Sequence, residues 1–173
     1  MAIIVILGYS YTKRFTALCH LILGLGLSLA PIGAYLAVTG EFAVIPVLYS
    51  FCVLFWVAGF DIIYAMQDES FDAKHNLFSI PVKFGATQAL LISSIMHALC
   101  AVFIIIAALL SANLIGSLFL LHWLGALIFI SLLAYQHRLV KPYQLEKVDM
   151  AFFTTNGVAS ILFCTFFVFD LIV

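Results

Sequence analysis

The feature that most constrains this chain is a rhythm of long apolar stretches that exclude lysine and arginine. A helix needs about 20 apolar residues to cross a hydrocarbon core. Five stretches qualify: Phe15 to Val38, Phe42 to Met66, Thr87 to Leu110, Ile115 to Gln136, and Met150 to the C-terminus. A shorter apolar run, Met1 to Gly8, reads as the tail end of a further helix. It lacks the basic start, longer apolar core and small-residue cleavage site of a secretory signal. Peptide groups in lipid have no water to bond, so spanning stretches must be helical or closed into a barrel. The expected fold is all-α: a polytopic transmembrane helix bundle of five full spans plus a partial first helix, forming one domain over residues 1–173.

The basic residues orient the bundle. Lys13, Arg14, Lys74, Lys83, Arg138, Lys141 and Lys147 are all the lysines and arginines, and all seven fall in alternate connections. The intervening turns, Thr39-Gly40-Glu41 and Ser111-Ala112-Asn113, hold none. Basic loops stay on the cytoplasmic side, so segments 9–14, 67–86 and 137–149 are expected there. Charged residues make up only 9 % of the chain, against about a quarter in a soluble domain. The net charge of −1 offers no basic surface for nucleic acid. Cys19, Cys52, Cys100 and Cys164 lie far apart in apolar runs with no CxxC pair, which makes them small apolar filler rather than a metal or redox motif.

The acidic residues carry the first chemical signal. At about 100° per helical residue, positions 68 and 72 each fall within about 20° of position 61. A helix continued to residue 72 therefore presents Asp61, Tyr64, Asp68 and Asp72 as one stripe, running from the membrane outward. Asp68 and Asp72 alone would read as a solvated acidic loop. Asp61 changes that reading: it follows Trp56-Val57-Ala58-Gly59-Phe60 at the end of a span, where a carboxylate is costly unless paired or hydrated. Carboxylates at i and i+4 suit Mg²⁺, which takes one or two carboxylates plus phosphate oxygens and water. Asp68 and Asp72 thus read as half of a Mg²⁺-diphosphate site.

A second cluster, Tyr9-Ser10-Tyr11-Thr12-Lys13-Arg14, falls on the same membrane face. As a topology anchor it would be ordinary. As an anion clamp it offers Tyr9 and Lys13 at i, i+4 and an arginine able to bind phosphate in bidentate fashion; the shared face favours the clamp. Lys74 is placed to neutralise phosphate, whereas Lys83 is a topology anchor, and Pro81 and Gly85 punctuate a loop before the next span. His97, His122 and Asn156 lie within spans and are expected to hydrogen-bond between helices.

The segments Tyr9 to Thr16 and Asp61 to Pro81 resemble the UbiA-type membrane prenyltransferases, most closely the 4-hydroxybenzoate polyprenyltransferase branch. The resemblance implies a nine-helix fold around a central cavity, of which this chain corresponds to the C-terminal two-thirds. Its YxxxKR motif falls on Tyr9, Lys13 and Arg14, and its second aspartate-rich motif on Asp68 and Asp72. It implies Mg²⁺ held by Asp68 and Asp72, catalytic roles for Tyr9, Lys13 and Arg14, and substrate contacts from Ser10, Asp61, Tyr64 and Lys74. The implied partners are a polyprenyl diphosphate, an aromatic acid acceptor and membrane lipid, in a bacterial inner membrane. A naphthoate acceptor of menaquinone synthesis competes with 4-hydroxybenzoate. A transporter-like bundle is the rival from another class, although the charges gather at one face and no internal repeat is seen. The family's first aspartate-rich motif has no counterpart among Glu41, Asp61, Asp68, Glu69, Asp72, Glu146, Asp149 and Asp170. The chain is accordingly expected to be an N-terminally truncated domain without turnover of its own.

Overall fold

A computed structural model describes residues 2–115 and 120–172. Its helices are α1 (Ala2–Thr12), α2 (Cys19–Thr39), α3 (Val44–Ala65), α4 (Glu69–Lys74), α5 (Ile80–Ile115), α6 (Leu120–Leu139) and α7 (Asn156–Ile172), the last preceded by a π-helical segment, Met150–Thr155. Among the described residues the only β-type pairing is an isolated bridge between Lys141 and Gln144. Five stretches are long and apolar enough to cross a membrane: α2, α3, α5, α6, and the π-helical segment with α7. The protein is an integral membrane helix bundle, as the hydropathy rhythm predicts.

Several boundaries differ from the sequence reading. Helix α1 runs on to Thr12, so Tyr9 and Ser10 sit on its last turn. The chain then tightens, with the Arg14 and Phe15 amides donating to the Tyr11 and Thr12 carbonyls at 3.0 and 2.9 Å. Helix α2 therefore starts at Cys19 rather than Phe15. The segment Ile80–Phe84, expected as loop, is a helical turn. It is set off from the rest of α5 by Gly85 at φ 78°, ψ 164°, a conformation open to glycine and strained for other residues. The expected turn at Ser111-Ala112-Asn113 is helical, and α5 continues to Ile115; nothing in that tripeptide breaks a helix as Gly or Pro would. The expected start of the next span at Ile115 borders residues 116–119, which lie outside the described residues; α6 extends past Gln136 to Leu139. His137 and Arg138 sit in its last turn, where positive charge faces the negative end of the helix dipole.

Helix α3 packs between α2 and α5. Gly24 permits the first contact, because a Cβ there would collide with the Leu54 carbonyl oxygen; small residues bring membrane helices together in this way. Ser93 ties α5 to α3 by donating to the Gly59 carbonyl at 2.7 Å. One buried apolar cluster, including Ala17, Ile62, Met66, Ile80 and Val148, lies under the charged end. A second, including Cys52, Cys100, Ile104 and Phe129, lies deeper. Cys19, Cys52 and Cys100 are buried, Cys164 is exposed, and all are free thiols. Leu91, Ile95, Val102 and Leu109 of α5 are exposed, as suits a face turned to lipid.

The polar side chains inside the spans bond across helices. His97 Nδ1 lies 2.9 Å from His137 Nε2, Tyr49 Oη lies 3.2 Å from His122 Nε2, and Trp56 Nε1 donates to Asn156 Oδ1 at 3.0 Å. Asp170 accepts from the Leu121 and His122 amides at 3.4 and 3.1 Å, capping α6 with negative charge at its positive end.

Candidate functional site

The acidic segment is not one continuous helix. Helix α3 stops at Ala65, and α4 restarts at Glu69. Between them the Gln67 and Asp68 amides donate to the Tyr64 and Ala65 carbonyls at 3.0 and 3.1 Å, the tighter i→i−3 pattern common at helix ends. The expected unbroken stripe from Asp61 to Asp72 is thus interrupted at 66–68. The motif's core spacing survives, because the Asp72 amide donates to the Asp68 carbonyl at 2.8 Å, setting the two carboxylates one turn apart. Asp68 stands at the N-cap of α4, yet its side chain makes no capping bond.

Asp72 is 2 % exposed. A carboxylate so buried needs a partner, and Lys13 Nζ supplies it, donating to Asp72 Oδ2 at 3.1 Å. The Phe78 amide also donates to the Lys13 carbonyl at 2.6 Å, so backbone and side chain both fasten the basic segment to the acidic one. Burial by itself would lower the Lys13 pKa. The hydrogen bond to Asp72 and the negative charges of Asp72 and Asp68 outweigh it and hold the ammonium above the usual lysine value. A third connection joins the same end, where Gln67 Nε2 donates to Asp149 Oδ1 at 3.4 Å. The connections that carry all the basic residues therefore converge.

The remaining candidate residues divide. Asp61 Oδ2 lies 2.7 Å from His20 Nδ1. Tyr64 stacks on Phe152 with ring centroids 4.3 Å apart. Tyr9, Ser10, Arg14 and Lys74 are exposed, and the Arg14 guanidinium lies 5.7 Å over the Tyr11 ring rather than on a carboxylate. The structure thus unites Lys13, Asp68 and Asp72, leaves Tyr9, Ser10, Arg14 and Lys74 exposed on neighbouring turns, and pairs Asp61 with a residue of α2.

Two features escape the sequence reading, and a third residue, Asn156, bonds between helices as expected. His20 is fully buried, and no motif spacing links it to Asp61. Phe152 packs on both Tyr64 and Phe60, the latter at 5.2 Å. Asn156 explains how Phe152 is held: its Oδ1 accepts from Trp56 and from Gln136, and its Nδ2 donates to the Phe152 carbonyl at 2.8 Å. That carbonyl lies within the π-helical segment Met150–Thr155, a form concentrated at functional sites. The one available signal was the run of polar Thr154, Thr155 and Asn156 inside an apolar span.

Among the described residues no three His, Cys, Asp or Glu side chains converge as a metal site. The donor set here is two hard carboxylates one helical turn apart. It fits Mg²⁺ as part of a coordination sphere that phosphate oxygens and water complete.

Residues 1–158 match the UbiA prenyltransferase family. The chain belongs to that family. It is 30 % identical over 156 residues to the 4-hydroxybenzoate octaprenyltransferase of Photobacterium profundum, covering 90 % of this chain and 52 % of that protein. It is 32 % identical over 163 residues to the enzyme of the same name from Shewanella amazonensis, covering 94 % and 54 %. The UbiA chain therefore spans about half the length of the curated relatives it matches. The fold is similar to the apo structure of a UbiA homolog from Aeropyrum pernix K1, with a TM-score of 0.81 at 27 % identity over 98 % of this chain and 62 % of that one.

Proposed function

We propose that this chain carries the diphosphate-binding end of a Mg²⁺-dependent aromatic prenyltransferase, which transfers a prenyl group from a polyprenyl diphosphate to 4-hydroxybenzoate or a similar aromatic acid in quinone biosynthesis. The observation that carries the reading is the ion pair between Lys13 of the basic motif and Asp72 of the acidic one, at the charged end of an apolar bundle.

Asp68 and Asp72 would hold the Mg²⁺, which would supply positive charge against the diphosphate. Lys13 and Arg14 add fixed positive charge where negative charge develops as the allylic carbon–oxygen bond breaks. Tyr9, Ser10 and Lys74 donate hydrogen bonds to the same group. The ring carbon ortho to the acceptor's phenol attacks the freed allylic carbon, the ring then gives up the proton of that carbon to the departed diphosphate, and Asp61 and Tyr64 line the polar mouth that receives the ring. The prenyl chain lies in the largely apolar cavity of about 700 Å³ bordered by Tyr49, Trp56, Phe129 and Phe163. The motif loops face the cytoplasm from a bacterial inner membrane, following the positive-inside rule.

The family resemblance implies two acidic motifs, and this sequence supplies one. We therefore expect the 173 residues to bind diphosphate without turnover. The test is a chimera in which this chain replaces the matching part of the Photobacterium profundum relative, assayed with Mg²⁺, a prenyl diphosphate and either 4-hydroxybenzoate or a naphthoate. Prenylated 4-hydroxybenzoate, lost in Asp72→Asn, supports the reading. Product from the naphthoate alone moves the acceptor to the menaquinone route. A membrane-inserted chimera that makes neither product overturns the enzymatic role.

A further inference from the structure

We propose that His20 is the positioning residue of Asp61, and that the pair forms the hydroxyl-binding point for the aromatic acceptor; the second part rests on the prenyltransferase reading above. His20 stands in the first turn of α2, Asp61 near the end of α3, and Ile80 at the start of α5. The His20 ring joins all three. Its Nδ1 lies 2.7 Å from Asp61 Oδ2, and its Nε2 accepts from the Ile80 amide at 3.3 Å.

These two contacts fix the ring's chemistry. A nitrogen that accepts a hydrogen bond carries no proton, so the neutral ring has its proton on Nδ1 and donates it to Asp61. The ring cannot flip without losing both bonds and leaving a buried amide and a carboxylate oxygen unpaired. The His20 side chain has no solvent exposure, whereas Asp61 keeps 22 % of its own. Burial of the donor makes the geometry rigid, and the residual exposure of the acceptor leaves it open to a ligand.

Asp61 is half-satisfied. Oδ2 is held by His20, and Oδ1 makes no hydrogen bond with any described residue. A partly desolvated carboxylate with one oxygen fixed and the other open repels a phosphate and accepts from a donor. In an aromatic acid acceptor the phenolic hydroxyl is that donor, since the substrate's own carboxylate would be repelled. The position is suitable: Tyr64 lies one turn further along α3, and the acidic pair follows beyond the break.

The test uses the whole chain in lipid nanodiscs, labelled with ¹⁵N-histidine, with the His20 ring signals assigned by their loss in His20→Gln. The expected spectrum shows protonated Nδ1 and unprotonated Nε2. Titration with 4-hydroxybenzoate moves the His20 signals saturably, while benzoate, lacking the hydroxyl, does not. In equilibrium dialysis His20→Gln, whose amide can still donate to Asp61, retains 4-hydroxybenzoate binding. His20→Leu and Asp61→Asn each weaken it at least about tenfold, the scale of a hydrogen bond to a charged group. A ring protonated on Nε2 overturns the positioning role. Binding that leaves His20 unmoved, or equal binding by the Gln and Leu variants, overturns the hydroxyl-binding role and leaves the acceptor reading standing. No dialysis binding at all overturns the acceptor reading together with the hydroxyl-binding role, while the tautomer still decides the positioning.

Discussion

Lys13 Nζ and Asp72 Oδ2 meet at 3.1 Å across 59 residues of sequence, joining the turn after α1 to the short helix α4. The contact buries a carboxylate against a cation and holds the two motif segments together.

Removing the cation alone leaves Asp72 buried without its partner. Lys13→Met should lower stability by about 1–3 kcal/mol, read as a lower melting temperature in nanodiscs. Lys13→Met with Asp72→Leu should recover most of that loss, because an apolar pair avoids the desolvation of both charges. A double variant as unstable as Lys13→Met would show that the contact carries no coupling.

The same pair sets an alkaline limit. The folded-state pKa of Lys13 is raised, so its stabilising contribution is complete below the unfolded lysine value of about 10.4 and is lost as pH climbs through the folded value. The stability gap between wild type and Lys13→Met should stay constant from about pH 7 to 10 and narrow above that. Lys13→Arg should keep its gap, since guanidinium stays charged. Melting curves across this range decide the matter.

Sidedness is testable with single cysteines. Ser70 and Glu41 are both exposed and fall at opposite ends of α3; Ser111, expected in a turn, is buried and would be a poor probe. In a Cys164→Ala background, Ser70→Cys should label only from the cytoplasmic side and Glu41→Cys only from outside. Equal labelling of both from outside would contradict the topology.

Asn156 gathers the donors of Trp56 and Gln136 on one oxygen. Asn156→Leu should cost about 1–3 kcal/mol by stranding both. It should also release the Phe152–Tyr64 stack, visible as a shift in ring signals of a ¹⁹F-labelled Tyr64. An unmoved Tyr64 signal would separate the network from the site.

The spans, their order and the end that carries the charge were legible because hydropathy and the placement of seven cations are one-dimensional properties. The Lys13–Asp72 meeting was legible only as a shared face; its distance depends on the turn at 13–18 and the break at 66–68, which local i→i−3 bonds create. His20 was illegible, since its partners Asp61 and Ile80 come from two other helices and no spacing rule connects them. The π-helical segment was also hidden, because Met150–Thr155 has the hydropathy of an ordinary span.

The most direct measurement is Mg²⁺-dependent binding of a radiolabelled prenyl diphosphate to the full chain in nanodiscs. Saturable binding that needs Mg²⁺, is lost in Asp68→Asn and in Asp72→Asn, and survives in Glu69→Gln, whose side chain points about 100° away from Asp68 on the helix, is the predicted result. Binding that is equal with and without Mg²⁺ and unchanged in both Asp variants would contradict the assignment of this end of the bundle as a diphosphate site.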